Sequence, residues 1–90
     1  FIDTCRRQVG VPWVHQGRTL GVALDCLGLV IASLWHVGAR PRTFDVNGYG
    51  MHPDGRMLPL CQAHMRQIEP GAARAGSVVL LAGDSAPRHL

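Results

Sequence analysis

No stretch of this chain stays apolar for the about 20 residues that a bilayer crossing needs. The longest runs, Leu27 to Trp35 and Ser77 to Ala82, fall well short, which excludes a membrane-spanning helix. Blocks of like charge are missing as well. Nine basic and six acidic residues are scattered along the sequence for a formal net charge of +3, so no nucleic acid is expected as a partner and the balance only leans toward anionic ones. The three cysteines form no close pair and are odd in number, unlike the framework of a small secreted disulfide protein. Zinc lacks a second knuckle: Cys61 and His64 are three apart, but His15, His36, His52 and His89 supply no matching pair, and no metal is expected. Repeats, low-complexity segments and a dividing linker are absent too. That leaves one domain over residues 1–90, near the lower end of what buries a core unaided. The start carries neither Met nor a basic-then-apolar signal pattern and reads as cut.

What is present is a chain rich enough in apolar residues to fold, 47% against 17% charged. It is organised around Asp25-Cys26-Leu27-Gly28-Leu29-Val30-Ile31-Ala32-Ser33-Leu34-Trp35. Asp25 is a favoured N-cap and Gly38 a usual stop, so the run predicts a helix over 26–37. Apolar residues on nearly every side of it imply that the fold encloses it. Cys26 then sits on the first turn, where unpaired N–H groups and the positive end of the helix dipole favour a thiolate. By position alone Cys26 reads equally as a nucleophile or as one more small buried hydrophobe.

Ahead of that helix, Ile2, Cys5 and Val9 share one face of a short amphipathic helix over 1–9. Gly10 and Pro12 stop it, and residues 10–18 follow as an extended loop carrying Trp13 and His15. After Gly38, residues 39–56 hold so many turn formers that they read as a long surface loop, with Tyr49 the residue best suited to contact a ligand. Leu58, Cys61, Met65 and Ile68 fall at helical spacing and predict a third helix over 58–68, with Cys5 and Cys61 in the core and His64 facing water. Gly76 to Ala82 has the signal of a buried strand, and Arg88-His89-Leu90 begins an antiparallel partner. The class is therefore α+β, with the three helices packed on a small antiparallel sheet that begins at Ser77. A thiol nucleophile needs a base, and histidine suits both proton steps. His36 is about ten residues along the same helix, roughly 15 Å by its rise, and cannot reach Cys26. His15 and His89 both stay open on topology.

Gly10-Val11-Pro12-Trp13, Asp25-Cys26-Leu27-Gly28-Leu29-Val30, Gly76-Ser77-Val78-Val79-Leu80-Leu81 and His89 together resemble the NlpC/P60 family of papain-like cysteine peptidases, over nearly the whole chain. Trp13 to Arg18 and Asp54-Gly55 further resemble the branch found in phages, prophages and gene-transfer particles, whose members travel with tail components. The resemblance implies a papain-like fold and cleavage of peptide stems in bacterial cell wall, next to γ-D-glutamyl and diaminopimelyl residues. It implies no cofactor. Matched residue by residue, it gives Cys26 the nucleophile position, His89 the base position and Asp25 the acid that helps hold the substrate's free amine. Trp13 stands where the family commonly has tyrosine, Leu27 where it has serine, and Ser77 where it has an acid. Trp13 and Tyr49 are expected to line the substrate. Stem peptides and phage tail proteins are the implied partners, with the phage particle or the cytoplasm before assembly as the place and the cell wall as the target.

Two other classes remain beside the peptidase. One is a noncatalytic papain-like tail component that binds or plugs, and the other is a related thiol amidase or acyltransferase. The third residue that would orient His89 lies beyond Leu90 in the family pattern, so the 90-residue chain is expected to be a truncated domain, inactive or nearly so.

Overall fold

Asp25 and Gly38 bound the central helix as their chemistry dictates. The computed structural model describes residues 1–51, 55–81 and 90, and in it the central helix spans Cys26–His36. Asp25 leaves the helical region at φ −104°, ψ −174°, and its carboxylate accepts from the Gly28 N–H. At the other end Gly38 takes φ +76°. The N–H groups of Gly38 and Ala39 return to the carbonyls of Trp35 and Leu34, the paired closure in which a left-handed glycine satisfies the last carbonyls.

The architecture is a small α+β fold. Among the described residues the order is α1 (Ile2–Arg6), β1 (Arg18–Thr19), β2 (Ala23–Leu24), α2 (Cys26–His36), α3 (Met57–His64) and a 3-10 turn at Pro70–Ala72. Strands β1 and β2 pair antiparallel, Arg18 with Leu24 and Thr19 with Ala23. The three residues between them include Gly21 at φ +77°, the left-handed position that such a hairpin loop requires. No helix of the described residues is long and apolar enough to cross a membrane. The chain divides into two compact units, residues 1–49 and 50–90.

In the first unit, α2 buries one face completely through Leu27, Gly28, Ile31, Ala32 and Ser33, and Leu24 completes the apolar core. Leu29, Val30, Leu34 and Trp35 are half-buried, so the helix is less enclosed than its composition suggests. Helix α1 packs on it through buried Thr4, while the Cys5 thiol donates to the fully buried Ser33 hydroxyl at 3.5 Å. It ends at Arg6 rather than near residue 9, and the chain goes on in tight turns, with Gln8 N–H on the Cys5 carbonyl and Val9 N–H on that of Arg6. Val9 is 88% exposed. With nothing apolar to cover it, the last turn of the expected helix gains too little to hold.

Within the second unit, α3 stops at His64, and Met65 is extended at φ −136°, ψ 152°. Leu58, Met65 and Ile68 remain more than a third exposed; the half-buried positions are Met57, Leu60 and Cys61. The expected sheet at Ser77 is corrected: Ser77 to Leu80 form no strand among the described residues, and the described sheet lies before α2 instead. Val79 and Leu81 are about half exposed while Val78 and Leu80 are half-buried, so the run is not buried on both faces. A strand exists only through a paired neighbour, and the residues expected to supply one, 82–89, lie outside the described residues.

Candidate active site

The first turn of α2 gathers most of the side chains that the sequence singles out. Pro12 to Val14 runs beside Leu24, with the Leu24 N–H on the Pro12 carbonyl at 3.2 Å and the Val14 N–H on the Leu24 carbonyl at 3.1 Å. Trp13 is thereby bridged to Leu24, two residues ahead of Cys26, and is 58% exposed. The Cys26 thiol is free and half-buried at the helix start. There a helix leaves its early N–H groups without intrahelical acceptors; Asp25 takes that of Gly28, and the Leu29 N–H meets the Asp25 carbonyl.

Asp25 is the hub. Its Oδ1 accepts from the Gly28 N–H at 2.7 Å and from Arg18 Nη1 at 3.0 Å. Its Oδ2 accepts from the Gln16 N–H at 2.7 Å and from the Tyr49 hydroxyl at 2.5 Å. An ionised carboxylate has about four acceptor sites, and all four are engaged inside the protein, with the side chain only 3% exposed. A substrate amine would have to displace one of these donors to reach it.

Arg18 closes the circuit. Nε meets Asp45 Oδ1 at 2.9 Å, Nη1 also meets the Gly17 carbonyl at 3.0 Å, and Nη2 meets the Val46 carbonyl at 2.6 Å and the Tyr49 hydroxyl at 2.9 Å. Burial alone would lower the guanidinium's pKa, but the hydrogen bonds to Asp45 and Tyr49 and the nearby Tyr49 and Asp25 groups outweigh it, and the value rises. The Tyr49 phenol is pushed up to about 12, first by burial and then by its hydrogen bond to Asp25, against the opposing pull of Arg18. Tyr49 therefore stays a neutral donor to the carboxylate.

His15 faces the same loop. Its Nε2 lies 3.0 Å from the Tyr49 carbonyl, and its ring meets the Tyr49 ring edge-on at 5.3 Å and the Trp13 ring at 6.3 Å. A carbonyl only accepts, so in that contact Nε2 is the donor. Gln16 Nε2 donates to the same carbonyl at 2.9 Å. Gln16 itself sits at φ 59°, the one non-glycine residue at positive φ among the described residues, a conformation that costs of order 1 kcal/mol or more. It turns the Gln16 N–H onto Asp25.

Close backbone approach explains two glycines. A Cβ at Gly28 would overlap the Gly17 carbonyl oxygen, and one at Gly17 would lie 2.7 Å from the Ala23 carbonyl oxygen. Only glycine lets the 17–18 segment reach the helix start and bring Arg18 onto Asp25.

The structure thus brings Trp13, Asp25, Cys26 and Tyr49 to one end of α2. His89 lies outside the described residues. Sequence reasoning missed Arg18, Gln16 and Asp45. A buried acid beside a thiol calls for a cation, and a glycine in a first helical turn calls for a close contact; these were the available signals. Among the described residues no three His, Cys, Asp or Glu side chains converge as a metal set would. Comparison with family models, with curated proteins and with solved structures returns no match.

Proposed function

We propose that the chain is a cysteine peptidase of NlpC/P60 type acting on peptide stems of bacterial cell wall, with Cys26 as nucleophile and His89 as base. The observation that carries the reading is the placement of Cys26 as the first residue of α2, directly after Asp25, which caps the helix and holds the Tyr49 hydroxyl, and Leu24, to which Trp13 is bridged. The sequence resemblance supplies the substrate class and the base. In this mechanism His89 takes the thiol proton, the thiolate attacks the scissile carbonyl, and the amine leaves with the proton from the histidine. Water then cleaves the thioester. The Cys26 N–H at the helix start is the natural donor to the oxyanion, a contact worth about 3–4 kcal/mol in other hydrolases.

Asp25 acts here by fixing the helix start and Tyr49, since its own acceptor sites are engaged. Those engaged sites, with the exposed Trp13, also favour a second reading: a noncatalytic papain-like tail component that binds stems or assembles with tail proteins. The phage-tail association belongs to both readings.

Cys26→Ala should abolish hydrolysis of γ-D-glutamyl-diaminopimelyl stem peptides and leave the circular dichroism unchanged. Iodoacetamide should label Cys26 faster than Cys5 or Cys61. Unchanged turnover in the variant ends the peptidase reading, and stem binding without turnover or selective labelling supports the binding component.

A further inference from the structure

Residues 39–51 contain no helix or strand, so side-chain bonds hold this segment in place. Trp35 Nε1 grips the Phe44 carbonyl at 2.7 Å. Beyond that point His15 and Gln16 reach only the Tyr49 carbonyl, at 3.0 and 2.9 Å, and among the described residues one side chain makes the remaining bonds to the rest of the protein. Arg18 reaches the segment at three places, the Asp45 carboxylate, the Val46 carbonyl and the Tyr49 hydroxyl. With its remaining nitrogen it holds the Asp25 carboxylate and the Gly17 carbonyl. Its carbon Cζ also lies 5.7 Å from the centre of the Tyr49 ring, within cation–π range. Five acceptors spread over both sides of a planar fork are matched by a guanidinium; an ammonium has three protons on a flexible stem and cannot span them.

We propose that Arg18 is a positioning residue for the Cys26 site: its guanidinium fastens the 45–49 segment to the Asp25 cap of α2, and Tyr49 stays on that carboxylate only while Arg18 is in place. The fastening itself stands on geometry alone. Its consequence for substrate rests on the proposed peptidase: the segment beside the nucleophile helix is a fixed wall in the free protein rather than a lid that folds over bound peptide. Ordering a wall in advance lowers the cost of binding, so loss of Arg18 raises KM more than it lowers kcat.

The test uses the only tyrosine of the chain. Its phenolate absorbance, followed with pH, reports Tyr49 without interference. For the unaltered chain the expected midpoint is about 12. If Arg18 holds the segment, Arg18→Lys releases Tyr49 from Asp25 and the midpoint falls toward the ordinary 10.0. If the segment stands without Arg18, Tyr49 keeps its bond to Asp25 and loses only the guanidinium hydrogen bond that favoured phenolate, so the midpoint stays or rises. The two outcomes have opposite sign. A folded Arg18→Lys variant with an unlowered midpoint overturns the proposal. Should that variant fail to fold, Asp45→Ala removes one anchor and leaves the Arg18–Asp25 pair; a partial fall supports the proposal and an unchanged midpoint overturns it. Stem-peptide kinetics on the same variants, with iodoacetamide labelling, separate the two ideas. A lowered midpoint with Cys26 labelled by iodoacetamide no faster than Cys5 or Cys61 leaves the fastening standing and sinks the peptidase, whereas selective labelling or hydrolysis with an unlowered midpoint does the reverse.

Discussion

Tyr49 shows how one hydroxyl ties protonation to folding. Its phenol is held up to about 12 by burial and the Asp25 bond, against 10.0 in an unfolded chain. The folded state therefore binds this proton more tightly. The stabilisation is fully present below pH 10 and is lost as pH rises through 10 toward 12. Urea midpoints measured across that window should decline for the unaltered chain, and the part due to Tyr49 should vanish in Tyr49→Phe. An identical alkaline decline in the variant would assign the loss to other groups. At the same scale, the residues named from sequence divide by kind of signal. Asp25 was legible because a cap is a local rule, satisfied within four residues. Arg18 was not, because its acceptors other than the adjacent Gly17 carbonyl lie 7, 27, 28 and 31 positions away, and no local pattern encodes such a meeting.

Among the elements, α2 was legible in full: cap, first residue and glycine closure all follow from residue types at fixed offsets, and its end differs from expectation by one residue. The hairpin was not. Two-residue strands are too short to show alternation, and only the left-handed Gly21 marks the turn. The run at Ser77 to Leu80 forms no strand among the described residues, since β-branched and aliphatic residues record a preference for strand but do not themselves pair it. Gly28 makes the element-scale prediction. Alanine there gains about 1 kcal/mol in helix propensity over glycine, but its Cβ would meet the Gly17 carbonyl oxygen. Backbone cannot rotate away as a side chain can, and overpacking of this kind costs about 1–3 kcal/mol. With rigid backbone as the obstacle the upper end of that cost applies, and Gly28→Ala should destabilise the chain by about 2 kcal/mol net in urea unfolding. A variant as stable as the unaltered chain would falsify the close approach.

At the scale of the whole molecule, burial is unequally shared. Among the described residues every buried side chain, apolar or polar, belongs to residues 1–49. Four apolar residues make a small core, so the polar network around Asp25 carries a large part of what fixes that unit. Helix α3, with eight residues and none buried, is shorter than the about 12–15 residues at which an isolated helix becomes even marginal in water. Amide exchange should follow this division: the N–H groups of Leu29 to Trp35 protected, those of Leu60 to His64 near the rate of an unstructured chain. Equal protection in the two helices would contradict it. The placement of the two tryptophans has an optical consequence. Trp13 lies beside the first turn of α2, more than half exposed, and Trp35 lies in its last turn with its indole N–H on the Phe44 carbonyl. Helix α2 thus has an emitter near each end, one open to iodide quenching and one shielded. A molecule that settles over Cys26 should remove the quenchable fraction of the fluorescence and leave the other untouched.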